Sequence, residues 1–427
     1  MPAIAVVGGL WGDEGKGKVI DLLAEKAKYV VRYGGGNNAG HTVMNQYGKF
    51  SLHLVPAGIF QPHATCVIGN GVVVDPNVLL QEMDMLGKAK IDTSRLMVSS
   101  RAHVIMPYHI LLDGLEEERR GNSAIGTTRM GVGPAYVDKV ARMGIRVGDL
   151  TDRKALPARL RPILEYKNAI LTKVYGKLPV SPEEIYEKCC LYGERLAPYI
   201  RDTEQVLYDA LERDDLVLLE GAQGTLLDLD YGTYPFVTSS HPVAGGAAVG
   251  AGVSPGRISQ VIGIYKAYAT RVGGGPMPTE LSNSLGETIR QRAWEFGATT
   301  GRARRCGWFD AVAGRFSNMV NGFTSAVLTR LDVLDILPTV RICVAYRVGD
   351  RTIDTFPGDA VTLSRCEPVY EDMQGWLTDT SHARSYDALP ERARAYVKRL
   401  EKLIRCPIDI ISIGPRREET IIVRQTF

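Results

Sequence analysis

Several things are scarce or missing in this sequence, and each absence closes off a class. No apolar run approaches the length that crosses a membrane, and no basic stretch followed by an apolar one opens the chain in the manner of a secretory leader. The seven cysteines are odd in number, none forms a C-x-x-C pair, and Cys189 and Cys190 are adjacent. That pattern suits neither a zinc knuckle nor a disulfide frame, and it predicts reduced, mostly buried thiols in a cytoplasmic protein. A net charge of +3 over 427 residues is too slight for a chain that coats nucleic acid. Internal repeats and low-complexity linkers are missing too. What remains is ample apolar content for a large core, with basic residues gathered at Arg302, Arg304 and Arg305 and at Arg416 and Arg417. Clusters of that size fit small anionic substrates better than a polymer.

The apolar pattern places the first elements. Ile4–Gly8 reads as a buried strand, Lys18–Lys28 as a helix and Tyr29–Tyr33 as the next strand, one βαβ unit that predicts a parallel sheet. Further strands are expected at Ala64–Ile68, Leu216–Leu219, Ser259–Tyr268, Ala326–Leu328, Thr339–Tyr346 and Ile408–Ile413. Amphipathic helices are expected at Glu287–Phe296, Phe309–Met319 and Glu391–Ile404. The Gly- and Ala-rich stretch Ala244–Gly256 predicts tight packing or repeated turns. Between about 94 and 215 the texture is charged and helical, notably over Ser181–Leu211. The chain is therefore expected to be one α/β domain, a mostly parallel central sheet flanked by helices in the manner of P-loop NTPases, with that segment as a helical insertion.

Chemistry concentrates in five places. Gly12-Asp13-Glu14-Gly15-Lys16-Gly17-Lys18 follows the first strand and nearly matches G-x-x-x-x-G-K, but Val19 stands where a Ser or Thr would hold Mg²⁺, and two carboxylates sit inside the loop. Such a loop can cradle phosphate and also bring an acid to a second substrate. Gly34–Thr42 follows the second strand and carries Asn37, Asn38 and His41, groups able to hydrogen-bond or protonate a phosphoryl oxygen. Thr329-Arg330-Leu331-Asp332 resembles the guanine-reading [NT]-K-x-D pattern, in which a carboxylate matches two N–H donors that adenine lacks. Ala298–Arg305 holds three arginines, which suits a mobile clamp on carboxylate or phosphate and equally suits a solvated basic loop. The short polar runs around Thr127 and Thr128, around Gln223 and around Thr238 suit either a polar substrate or simple turn chemistry.

Taken in order, WGDEGKGK, GGNNAGHT, GTT with GVGPAY, EGAQGTLLD, YPFVTSS, TRVGGGP, TTGRARRCGWFD and SIGP resemble the adenylosuccinate synthetases along essentially the whole chain. The resemblance implies a ligase that joins L-aspartate to IMP and cleaves GTP to GDP and phosphate, through a 6-phosphoryl-IMP intermediate. It implies Asp13 as the base at N1 of IMP, His41 as the acid at the transferred phosphoryl group, and one Mg²⁺ per subunit on Asp13 and the Gly40 carbonyl. GTP would take Gly12, Asp13, Glu14, Gly15, Lys16, Gly17, Lys18, Gly40, His41, Thr42, Arg304, Arg330, Leu331, Asp332, Ser412, Ile413 and Gly414. IMP would take Asp13, Glu14, Gly15, Lys16, Asn37, Asn38, Ala39, Gly40, His41, Thr128, Gln223, Thr238 and Arg302, with Arg142 donated across a homodimer interface. L-Aspartate would lie under Ala298, Thr299, Thr300, Gly301, Arg302, Ala303 and Arg304. The chain departs from the family's usual pattern at Arg330, Arg129, Met130, Leu10 and Met277.

Overall fold

The computed structural model describes residues 3–45, 47–297 and 301–425. Its centre is a ten-stranded sheet built from β1 (Ala3–Gly8), β2 (Tyr29–Arg32), β3 (Thr65–Ile68), β4 (Leu96–Ser99), β5 (Ile200–Arg201), β6 (Val217–Glu220), β7 (Ile258–Lys266), β8 (Ser325–Thr329), β9 (Ile408–Ser412) and β10 (Thr420–Ile422). The order is β10-β9-β8-β7-β1-β6-β2-β3-β4-β5, and every pairing is parallel except β9 with β10. A parallel sheet is covered on both faces, so its strands are apolar throughout and the two-residue period divides them between two cores. On β1, Ala3, Ala5 and Val7 join one buried cluster while Ile4 and Val6 join the other. Leu219 and Leu218 on β6 divide the same way.

The predicted strands are present, with shifts of a residue or two. The one at Thr339 runs over Thr339–Val348 and belongs to a separate four-stranded sheet. The run Ser259–Tyr268 divides: β7 stops at Lys266, and Ala269–Arg271 pairs antiparallel with Arg305–Gly307, fixing the arginine loop's far end to the sheet's edge. Neighbouring β1 and β2 in sequence did not mean neighbouring strands in space. β6 lies between them, hydrogen-bonded to both, because a partner arriving from more than 180 residues downstream leaves no trace in the local pattern. The segment Ser181–Leu211 is two helices, Pro182–Leu196 and Thr203–Glu212, parted by a turn carrying Pro198 and by β5. Proline has no N–H to continue the first helix. The stretch at 244 forms a helix, Ala244–Ala251, whose glycines admit backbone contact: a Cβ on Gly250 would stand 1.9 Å from the Tyr33 carbonyl oxygen.

Helices Pro107–Arg120, Val132–Val140, Leu156–Ala169, Pro182–Leu196 and Thr203–Glu212 stand between β4 and β6 in the chain. The first three of them share a buried charged cluster. Lys167 donates to Asp138, and the His109 Nε2–H donates to the other Asp138 oxygen at 2.8 Å, all three side chains being buried. His109 Nδ1 accepts from the Met106 backbone N–H at 3.0 Å, so the ring is neutral with its proton on Nε2. Removing one partner of a buried pair strands the other charge. Asp138→Ala should therefore lower stability by about 3 kcal/mol, and an Asp138→Leu/Lys167→Met double variant should recover most of the loss. Thermal unfolding of the two variants beside the parent protein measures both.

Candidate active site

Loops at the carboxyl ends of β1, β2, β6, β7, β8 and β9 converge on one cavity of about 1190 Å³, the position where open parallel sheets take their ligands. The loop after β1 turns sharply, with Gly12 at φ 86°, Asp13 at φ 60° and Gly15 at φ 92°. Left-handed backbone is ordinary for the glycines and uncommon for Asp13. Gly15 opens the helix Lys16–Leu23, two residues earlier than the apolar pattern suggests, so the helix N-terminus points into the cavity. Glu14 does not reach into the cavity as a free acid. It is 1 % exposed and accepts from the Gly12 N–H (2.8 Å), the Leu10 N–H (3.2 Å) and the Lys16 ammonium (2.5 Å), so it braces the loop from within. Lys18 donates to Ser412 Oγ, the Gly414 carbonyl and the Glu419 carbonyl at 2.8–3.0 Å, tying the phosphate loop to the segment after β9. Burial lowers its pKa to about 8.

His41 is held on both sides. Its Nδ1 lies 2.7 Å from Glu220 Oε1 at the end of β6, and its Nε2 lies 2.9 Å from an Arg32 nitrogen at the end of β2. A guanidinium can only donate, so Nε2 accepts and the ring proton sits on Nδ1, toward Glu220. Burial pushes the His41 pKa down, with Arg32 and Lys16 acting in the same direction, which agrees with that neutral tautomer. Glu220 is fully buried and also accepts from the Ala57 N–H at 2.8 Å. To give a proton from Nε2 to a ligand, the ring must part from Arg32. Glu220 and Arg32 were not picked out from sequence. The signal for Glu220 was the first letter of EGAQGT, and Arg32 is an arginine inside an otherwise apolar strand.

The arginine loop is less mobile than three clustered arginines suggested. Arg305 is clamped by both oxygens of Glu280 and by the Gly273 and Gly275 carbonyls. The Arg304 backbone N–H bonds the Glu295 carbonyl oxygen at 2.9 Å, its Nη1 donates to the Glu295 carboxylate at 2.6 Å, and its Nε donates to Asp13 Oδ2 at 2.8 Å. Glu295 takes two further bonds, from Lys266 at 2.7 Å and the Tyr268 hydroxyl at 2.5 Å. Burial works against its charge, but Lys266 and Arg304 outweigh it and hold the carboxyl at about 2, against an ordinary 4.5. Arg302 reaches across to the Gly126 and Thr127 carbonyls at 3.0 and 3.3 Å. That opposite loop is itself pinned by Glu117, which accepts from the N–H groups of residues 125–127, and by Asp113, which accepts from Thr127 Oγ1 and the Gly131 N–H.

Most residues singled out from sequence meet in this cavity. Residues 12–18, Asn38, Ala39, Gly40, His41, Thr42, Thr128, Gln223, Thr238, Gly301, Arg302, Arg304, Arg330, Asp332, Ser412 and Gly414 all line it. Asn37, Leu331 and Ile413 are buried outside the lining, Ala303 is exposed outside it, and Arg142 is exposed just past the end of the helix Val132–Val140. Ala298, Thr299 and Thr300 lie outside the described residues. Among the described residues, the buried lining atoms without a hydrogen-bond partner in the protein include the oxygens Gln223 Oε1, Thr238 Oγ1 and Asp332 Oδ1. A buried acceptor without a donor is costly, so each marks a place for a ligand's polar group. Asp13 and the Gly40 carbonyl are hard oxygen donors on the same wall, and that donor set suits Mg²⁺.

The family model for adenylosuccinate synthetase matches residues 5–421. The chain belongs to the adenylosuccinate synthetase family. An adenylosuccinate synthetase of Dehalococcoides mccartyi is 56% identical over 421 residues, covering 99% of this chain and all of that protein. One of Heliobacterium modesticaldum is 54% identical over 427 residues, covering both chains completely. The solved structure of fully ligated adenylosuccinate synthetase from Plasmodium falciparum superposes with a TM-score of 0.94 at 35% identity, over 99% of this chain and all of that one. A cyanophage S-2L succinoaminodeoxyadenylate synthetase, bound to dGMP and dATP, superposes at TM-score 0.62 with 19% identity and shares the fold alone. As an adenylosuccinate synthetase this chain is a ligase that forms a C–N bond between IMP and L-aspartate and uses GTP as co-substrate.

The Glu295 cluster gives this site an acid limit. The folded carboxyl keeps its charge down to about 2, whereas the unfolded one takes a proton near the ordinary 4.5. The stabilisation is therefore fully present above about pH 4.5 and fades as the pH falls below it. Glu295→Gln should cost about 3 kcal/mol at neutral pH, and the gap to the parent should narrow between about pH 4.5 and about pH 3 in thermal unfolding runs.

Proposed function

We propose that Asp13 and His41 carry the two-step ligation. Asp13 takes the N1 proton of IMP, the 6-oxygen attacks the γ-phosphorus of GTP, and the β,γ-bridging bond breaks to release GDP. His41, protonated on Nε2, hydrogen-bonds the transferred phosphoryl oxygens. The amine of L-aspartate then attacks C6 of 6-phosphoryl-IMP, the C6–O bond breaks, and phosphate leaves with its electron pair while the nitrogen loses its proton. The observation that carries this reading is Asp13 itself: a carboxylate on left-handed backbone inside the phosphate loop, facing the cavity and paired with Arg304. Asp13 and the Gly40 carbonyl would hold one Mg²⁺, supplying the oxygen ligands that a P-loop hydroxyl would give where Val19 stands here, and the ion would neutralise charge building up on the phosphates.

The remaining assignments follow the lining. Gln223, Thr238, Thr128, Asn38 and Arg302 take IMP, with Asn37 supporting them from behind. Residues 12–18, 40–42 and Arg304 take the triphosphate, and residues 330–332 and 412–414 take the guanine. The unpaired Asp332 oxygen supports guanine over adenine, because guanine brings N–H donors to it and adenine brings an acceptor. Residues 298–304 cover L-aspartate and exclude water from an intermediate that would otherwise hydrolyse. A homodimer completes the site with Arg142, since Val137 and Val140 on the same helix are exposed apolar residues, at 64% and 79%, in want of a cover. Residues 1–427 form one cytoplasmic synthetase domain, with 94–215 as a largely helical segment that also supplies β4 and β5 to the central sheet.

Asp13→Asn tests the base. Adenylosuccinate formation, followed by its ultraviolet absorbance, should fall about a thousandfold, while calorimetry still shows GDP binding. A variant that keeps its turnover would remove Asp13 from the role. Arg142→Ala tests the shared site. Alone it should raise the KM for IMP, and mixing it with the inactive Asp13→Asn chain should restore activity through mixed dimers. No recovery in verified mixed dimers would place Arg142 outside the partner's site.

A further inference from the structure

One side chain on the cavity wall is explained neither by the fold nor by the residue roles above. Trp294 closes the helix Ser284–Ala293 at φ 53°, ψ 50°. Left-handed closure favours glycine, and the helices Ala244–Ala251 and Ala311–Asn321 do close on Gly252 and Gly322. Here, as at Arg405 after the helix Glu391–Ile404, a residue other than glycine takes that conformation, and at 294 it is the bulkiest side chain available. Nor is the ring buried: Trp294 is 71% exposed, whereas Trp11, Trp308 and Trp376 are exposed by 3–5%.

Its surroundings fix where the ring stands. Trp294 and Phe296 both line the cavity, their rings 5.2 Å apart and inclined at 58°. On one side Arg292 donates to the Asp332 carbonyl oxygen at 3.1 Å, which ties the helix end to the loop bearing the unpaired Asp332 carboxylate oxygen. On the other side Glu295 is locked to Lys266 and Arg304. An aromatic face thus lines the same cavity as a buried acceptor that wants planar N–H donors, and the end of its helix is tied to the loop that carries that acceptor. We propose that Trp294 is the stacking wall of the nucleotide-base end of the cavity, with the guanine of the nucleoside triphosphate lying on its indole. This rests on the reading that the Asp332 end takes guanine. Stacking contributes affinity that every purine shares, and Asp332 supplies the choice among purines.

Buried tryptophans emit too, and Trp11 lines the cavity beside the phosphate loop, so the signal of Trp294 is the part of the GDP response that its replacement removes. GDP added to the parent protein should change the intrinsic fluorescence, and Trp294→Phe should remove most of that change while calorimetry shows GDP still bound. Trp294→Gly makes the sharper test. Glycine relieves the left-handed backbone, so the melting temperature should hold or rise, while the KM for GTP rises roughly fivefold to tenfold and the KM for IMP changes far less. A purely structural tryptophan would give the reverse, a lower melting temperature and an unaltered KM for GTP. A fluorescence response to GDP that persists in full in Trp294→Phe overturns the inference alone. Failure of the parent protein to bind GDP in calorimetry overturns the guanine reading of the Asp332 end, and the inference with it.

Discussion

The site depends on one buried carboxylate. Glu295 has no exposure to water, yet it stays ionised because Lys266, Tyr268 and Arg304 direct four donor groups at or near it, three of them onto its carboxylate. Through Arg304 its influence reaches Asp13. The Asp13 carboxylate at the mouth of the phosphate loop is given a fixed direction by a guanidinium 2.8 Å away, but only if the guanidinium is itself immobile. Glu295 provides that immobility from inside the fold, where solvent screening is weak. Arg304 and Arg305 are therefore held as parts of the scaffold.

A parallel sheet makes such an arrangement economical. Six strands end at the same edge, so carboxylates and arginines at their last positions arrive together without long loops. Arg32, Glu220, Lys266 and Thr329 are each the last residue of a strand, and each is buried and bonded to a neighbour from a different strand or loop. Thr329 shows the pattern on a small scale. Its hydroxyl donates to the Glu14 carbonyl at 2.6 Å and so joins the 329–332 loop to the loop after β1. Distances between groups on these loops are then set by strand spacing, which hardly varies.

This explains what could be read from the sequence. Motifs that lie in one stretch were legible: the phosphate loop, the Gly-rich turn at 34–42, the Thr329–Asp332 pattern and the helix Glu391–Ile404, whose bounds matched. The insertion of β6 between β1 and β2 was not, because two apolar strands carry no mark of which partner each prefers. Pairings such as Glu220 with His41 and Glu295 with Arg304 were hidden for the same reason, since a buried acid in a sequence looks like any acid. Glu14 misled in the opposite sense. Its place inside the loop suggested a group facing substrate, and only the fold shows its oxygens turned inward onto Gly12, Leu10 and Lys16.

The missing hydroxyl at Val19 now has a structural reason. Val19 is buried in the core beneath the phosphate loop, so a hydroxyl there would face apolar neighbours rather than the cavity. Lys18 also ties down the segment after β9. A second, buried ammonium at the cavity wall comes from Lys16, paired with Glu14 at 2.5 Å. The two acids inside the loop thereby part: Glu14 turns inward and braces the backbone, whereas the left-handed turn at Asp13 presents its carboxylate to the cavity and to Arg304. One loop so built keeps its own shape and still offers a carboxylate to whatever enters.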